Sequence, residues 1–157
     1  MNSMRQLRNL RWLMNKVLLL ELNTQSLGFD LHYVREVIEN KNVQPVPLAP
    51  DFVLGIVNRR GKVFTIINLA VLLGVPSKEL SPDSRIVILE HKEIDIGILV
   101  DKINQTKSVS STEKKINETP LVNSKEKEFR HMVLKCEEGI HLLDLEKFFA
   151  FLKEGTF

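Results

Sequence analysis

The sequence predicts an all-β protein, folded as one barrel or a pair of barrels. Three observations predict it. Apolar runs of strand length recur along the chain, giving about eight to ten short strands. Turn residues separate most of them, and helical periodicity is confined to a few short stretches.

Taken in order, residues 4–14 carry Met4, Leu7, Leu10 and Met14 at helical spacing with Arg5, Arg8 and Arg11 between them. They read as a short basic amphipathic helix, which caps the domain, frays in solvent, or meets a membrane surface or partner. Residues 17–22 are an apolar strand, and Asn23 to Ser26 a turn. Leu27, Phe29 and Leu31 then alternate as a half-buried strand. Val34, Val37 and Ile38 continue as a strand or a helical turn, which periodicity does not separate. Pro45, Pro47 and Pro50 place the next stretch in a loop or at a sheet edge, since proline lacks an N–H to donate. Val53 to Val57 and Val63 to Ile67 read as strands. The tight connection between them is Asn58-Arg59-Arg60-Gly61, with Asn58 and Gly61 supplying tolerance of positive φ.

Asn68 has the chemistry of an N-cap for a helix over Leu69 to Leu73, which Gly74 closes. Arg85 to Glu90 and Ile94 to Val100 are strands about the hairpin His91-Lys92-Glu93. Residues 104–128 are largely polar and read as a solvated, mobile connection. Phe129 to Cys136 and Ile140 to Leu143 form a last hairpin. Asp144 caps a final helix, Leu145 to Lys153, whose Leu145, Phe148, Phe149 and Leu152 share one face.

The 157 residues suffice for one domain or two very small ones. With 43% hydrophobic and 27% charged residues the chain has a globular composition. No apolar run approaches the ~18 residues of a membrane helix, and Val17 to Leu20 is too short for a secretory core. With the single Cys136, this predicts a cytoplasmic protein. The net charge is +2, but residues 1–16 hold four basic residues and no acid; the remainder balances 18 basic against 20 acidic residues. The body therefore lacks the charge of a nucleic-acid binder, and its aromatics sit mostly at core-like positions, which leaves a single-strand-binding barrel as a remote alternative.

Catalytic patterns are not found. The sequence contains no Gly-rich phosphate loop, HExxH, CxxC or GxSxG. Cys136 and His131 have odd spacing on one strand and so point to opposite faces. His32, His91, His131 and His141 are scattered without metal-ligand spacing. The sequence thus predicts a non-enzyme with no cofactor and no metal.

Four segments together resemble the CheW family. Phe29-Asp30-Leu31 through Val34-Arg35-Glu36-Val37-Ile38 is similar to its strand followed by V-x-E-V/I. Pro47 to Val63 is similar to its central P-x-x-P-x-F-V-x-G-x-x-N-x-R-G-x-V. Gly97 to Ile103 is similar to G-x-x-V-D-x-V, and Leu142 to Lys147 to the closing L-L-D-x-E-K. The central motif is specific and the others are weak alone. The resemblance covers residues 17–153 in family order.

It implies two small SH3-like β-barrels sharing a core, with short helices including one at the C-terminus. The implied organisation is a basic extension over 1–16 and a two-lobed domain over 17–155. It also implies a role: a non-catalytic adaptor coupling chemoreceptors (methyl-accepting chemotaxis proteins) to the regulatory domain of a CheA-type histidine kinase, at membrane-associated receptor arrays. The alternative is a scaffold for a pilus, gliding or gene-regulatory pathway. Arg60 matches the family arginine associated with the receptor, and Glu36 another position on that face. Val34, Val37, Val100 and Ile103 either line the groove between barrels or fill the core. Asn58, Gly61, Asn68 and Asp144 are expected to serve turns and caps, and Arg5, Arg8 and Arg11 a membrane or partner. The chain departs from the pattern in several places. Arg59 stands where an apolar or small residue is usual, and Asn68 replaces Asp. Thr106 and Lys107 are polar where an apolar pair is common. Residues 117–131 lack the Gly-containing pattern that usually precedes the last hairpin.

Overall fold

The structure is a computed structural model and describes residues 15–77, 80–109, 114–115, 133–135 and 140–154. The expected N-terminal helix with Arg5, Arg8 and Arg11 lies outside the described residues, as do His131 and Cys136. Among the described residues eleven strands and two α-helices follow in order: β1 Asn15–Leu22, β2 Gln25–Asp30, β3 Val34–Glu39, β4 Val53–Arg59, β5 Lys62–Asn68, α1 Leu69–Leu73, β6 Arg85–Leu89, β7 Ile96–Val100, β8 Lys102–Val109, β9 Lys114–Lys115, β10 Val133–Lys135, β11 His141–Leu143 and α2 Leu145–Glu154.

The strands form two sheets. One has six strands in the order β8-β1-β2-β11-β10-β9, the other five in the order β3-β6-β7-β5-β4. Neighbours are antiparallel except β2 with β11 and β5 with β7. A 3-10 turn over Leu31–Tyr33 carries the chain from the first sheet to the second. The buried Asp30 holds that crossing, its carboxylate accepting from the His32 N–H at 2.9 Å.

The run Val17 to Leu20 is continuous rather than alternating because β1 is buried on both faces. Leu18, Leu20 and Leu22 enter one large core, while Val17 and Leu19 join Ile140 and Leu142 on the other side. The second sheet is built the same way. Val87, Leu89, Ile98 and Val100 point to the large core; Ile86, Ile88 and Leu99 point with Val57, Phe64 and Ile66 into a separate cluster. The large core takes side chains from both sheets and from both helices, Leu69 and Leu73 of α1 and Phe148, Phe149 and Leu152 of α2 among them. Two barrel-like lobes thus share one interior. Each fully buried Leu, Ile or Phe contributes about 1.5–3 kcal/mol, so the shared cluster dominates the stabilisation.

The second lobe closes through a bridge. β3 and β4 are its edge strands, and Gln44, just past β3, exchanges backbone hydrogen bonds with Ile56 of β4 at 2.9 and 2.8 Å. Gly55 permits that approach. A side chain there would collide with the Gln44 carbonyl oxygen.

Most sequence expectations for local structure hold in position. Asn68 caps α1, its side chain accepting from the Val71 N–H at 3.4 Å, and Gly74 closes it at φ 71. Asp144 caps α2 by accepting from the Lys147 N–H at 3.3 Å. Burial, working against that hydrogen bond, holds the Asp144 carboxyl above its ordinary pKa. Two expectations are corrected. Part of the stretch read as a mobile connection is strand β8, whose Leu20–Ile103 and Val17–Lys107 pairings zip it onto β1. A solvent-facing edge strand needs few apolar residues, and its polar ones discourage pairing with other chains, so its composition resembles a loop. Asn58 is not in the turn either. It lies within β4 opposite Val63, and the turn narrows to Arg60-Gly61.

Candidate functional site

Some of the residues singled out at the sequence level, Glu36, Val37 and Arg60, meet at one corner of the second lobe. β4 and β5 are antiparallel, with Arg59 directly opposite Lys62 and Val57 opposite Phe64. Only Arg60 and Gly61 remain to make the turn, at φ 54 and 78. Two positive φ angles are the mark of a type I′ hairpin, whose twist matches the strands it joins. Gly61 takes that conformation freely, whereas an arginine does not. Arg60 is exposed at the tip and makes no hydrogen bond or ion pair among the described residues.

Glu36 lies on β3 opposite Ile88, so it shares a face with the second lobe's interior cluster. Alternation places Arg59 on that face too, two residues beyond the buried Val57. The two side chains meet across the seam between β3 and β4. Arg59 Nε–H donates to Glu36 Oε1 at 3.1 Å and Nη2–H to Oε2 at 3.3 Å, a two-bonded fork. This bond, helped by the charges of Arg59, Arg60 and Arg35 and opposed by partial burial, holds the Glu36 carboxyl below its ordinary pKa. The same pairing raises that of Arg59.

Other cations at this corner are also paired: Lys62 with Asp95 at 3.4 Å, Lys41 with Glu39 at 2.8 Å and Arg35 with Glu90 at 3.9 Å. Two apolar side chains of the adjoining strands are exposed, Val63 of β5 at 51% and Val37 of β3 at 40%. A cleft of about 370 Å³ runs between β3 and β4, lined by Val37, Asn42, Asn58 and Arg59 among others. Val34 and Ile103 are half-buried against the shared core from different sheets, and Val100 is fully buried in it. Glu36, Arg60 and Val37 thus stand at one corner, while Val34, Val100 and Ile103 serve packing.

Arg59 is the residue whose part sequence reasoning missed. It drew notice only as a departure from the family pattern. Its spacing of two from Val57 was the available signal, but only with the strand extended to residue 59.

A second cavity, of about 590 Å³, lies between the 3-10 turn, the β6–β7 connection and α2. There Tyr33 O–H donates to Glu146 Oε1 at 2.7 Å. His91 Nδ1 accepts from the N–H groups of Glu93 and Ile94 at 3.0 and 3.2 Å, and its ring packs 4.4 Å from Phe149. Burial, with the Lys153 charge, lowers the His91 pKa. The Tyr33–Glu146 bond and the His91–Phe149 contact tie α2 to the 3-10 turn and to the β6–β7 connection. Among the described residues no group of three or more His, Cys, Asp or Glu is placed to hold a metal ion, and no helix is long and apolar enough to cross a membrane.

Comparison with known proteins agrees with this architecture. The family model of the CheW-like domain matches residues 16–152. The chain is 36% identical over 88 residues to the chemotaxis protein CheW of Thermotoga maritima, covering 56% of this chain and 58% of that one. It is 26% identical over 134 residues to the CheW of Treponema pallidum, covering 83% and 79%. It also resembles Protein PilI of Pseudomonas aeruginosa, at 29% identity over 70 residues, covering 45% and 39%. The crystal structure of the scaffolding protein TtCheW from Thermoanaerobacter tengcongensis superposes with a TM-score of 0.67 at 27% identity, covering 83% of this chain and 88% of that one. With its two-lobed β architecture and a family match across nearly all of the described residues, the chain belongs to the CheW-like domain family.

Proposed function

We propose that this protein is a non-catalytic adaptor that couples chemoreceptors to a CheA-type histidine kinase. The observation that carries this reading is Arg60. It is held in a costly backbone conformation at an exposed hairpin tip, with no hydrogen bond or ion pair among the described residues, beside neighbours that are paired. Strain of roughly 1–2 kcal/mol persists where a residue serves something other than stability. An arginine suits the task. Its planar fork pairs carboxylates and its stem covers apolar surface, and the adjoining strands leave Val63 and Val37 exposed.

In this reading the corner formed by Arg60, Val37 and the Glu36–Arg59 pair meets the helical tip of a receptor, and another strand edge meets the kinase regulatory domain. Each contact is modest, and assembly into receptor arrays supplies avidity. The basic segment 1–16 adds an accessory contact to a membrane surface or partner. Likeness to Protein PilI favours a second reading, in which the same adaptor serves a pilus-type pathway; the surface chemistry is the same and the receptor differs.

Pull-down and calorimetric titration with a receptor-tip fragment and with the kinase regulatory domain test the proposal. Arg60→Ala is expected to weaken the receptor leg about fivefold or more and leave the kinase leg unchanged. Equal binding of receptor by wild type and Arg60→Ala would remove this corner from the interface. Absence of binding to both partners by the folded protein would refute the adaptor role.

A further inference from the structure

Both carboxylate oxygens of Glu36 are engaged by one residue. Both accept from the one guanidinium of Arg59, at 3.1 and 3.3 Å. Arg59 can reach them because it follows Val57 on the inward face of β4, while Glu36 lies opposite Ile88 on the inward face of β3. The pair therefore bridges the two edge strands at the mouth of the lobe. With Glu36 so engaged, and with Arg35 and Lys62 on their own carboxylates, the charge this corner presents outward is that of Arg60.

We infer that Arg59 sets partner specificity: by sequestering Glu36 it converts a mixed-charge corner into one that selects a carboxylate on the partner's tip and disfavours a basic side chain there. This deepens the adaptor reading and rests on it. Arg59 acts through Glu36 and Arg60 rather than by touching the partner, so it is a positioning residue. A basic partner side chain meets a carboxylate whose charge a two-bonded fork already offsets, whereas an acidic one finds Arg60 without a hydrogen bond or ion pair.

The test has a partner-free arm and a binding arm. In the first, the Glu36 carboxyl is titrated by NMR in wild type, Arg59→Lys and Arg59→Leu; its pKa is expected to climb toward the ordinary glutamate value in that order. In the second, calorimetry compares two versions of a receptor-tip helical hairpin, with glutamate or with lysine at the solvent-facing positions of the tip turn. Wild type is expected to prefer the glutamate version by about fivefold, the worth of one exposed ion pair. Arg59→Leu should bring the two to near parity by tightening the lysine version. The double variant Arg59→Leu/Glu36→Gln should lose that gain, because the freed carboxylate is what the lysine uses. An unchanged preference in Arg59→Leu, or a double variant that binds the lysine version as well as the single one, overturns the inference and leaves the adaptor reading intact. If neither hairpin binds folded wild type, the adaptor reading falls and the inference with it. Should Arg59→Leu fail to fold, Glu36→Gln gives the same decision: it leaves Arg59 unneutralised and should strengthen the preference for glutamate, and no change overturns the inference.

Discussion

Arg60 and Thr24 occupy the same kind of backbone position for different ends. Thr24 follows Asn23 in the β1–β2 turn, at φ 66 and 50. A β-branched residue is out of place there. Thr24→Gly is expected to stabilise the protein by about 1 kcal/mol without touching partner binding. Arg60→Asn, which gives the favoured Asn-Gly turn, should stabilise by a similar amount, about 1 kcal/mol, yet weaken the receptor leg. Urea unfolding of both variants beside titration with the receptor-tip fragment checks the pair; equal effects on binding would show that the strain at Arg60 serves nothing. The Glu36–Arg59 bond also has a pH signature. The folded pKa of Glu36 lies below its unfolded value, so its contribution is present above the ordinary carboxylate range and is lost as pH falls through the folded pKa. The stability difference between wild type and Arg59→Ala should therefore shrink as the pH is lowered below about 4. Unfolding measured along a pH series reads it, and a difference independent of pH would mean the fork adds no stability in solution.

Among the elements, the seam of the second lobe is the most exacting. Five strands leave β3 and β4 as edges, and a bridge from Gln44 to Ile56 joins them. The bridge depends on Gly55, where a Cβ meets backbone rather than a yielding side chain. Gly55→Ala is expected to cost about 2 kcal/mol or more and to speed hydrogen exchange at the Gln44 and Ile56 amides ahead of the other β4 amides. Uniform exchange across β4 would show that the bridge does not hold the seam. The edge strand β8 shows the opposite economy, since β1 supplies its backbone partners and half-buried Ile103 its hold on the core.

For the molecule as a whole, the shared core decides cooperativity. Phe29 of the first sheet, Ile98 of the second and Phe148 of α2 lie in one cluster, so neither lobe keeps its interior if the other opens. Phe29→Ala is expected to cost about 3–5 kcal/mol and still give one unfolding transition, with amides of both sheets exchanging at the same limiting free energy. Two separate transitions would mean that the lobes fold independently. Coupling of the lobes through one core also bears on the proposed adaptor role, because an adaptor transmits position between two partners only if its own halves do not move separately.

Local chemistry alone determined much of this protein. Apolar runs marked strands, Asn68 and Asp144 marked helix starts, three prolines marked the loop before β4, and the motif from Pro47 to Val63 marked the family. Each of these signals acts within a few residues of itself. What only the tertiary structure decided involves partners far apart in the chain. The pairing of β2 with β11 and the strand identity of polar β8 come from neighbours that supply hydrogen bonds across the sheet. Arg59 finds Glu36 because closure of the second lobe brings positions 23 residues apart to hydrogen-bonding distance. Which of the two adjacent arginines turns inward was set by where the turn began: it starts at Arg60, two residues later than the turn chemistry of Asn58 suggested, so Arg59 stays on the strand and keeps the face of Val57.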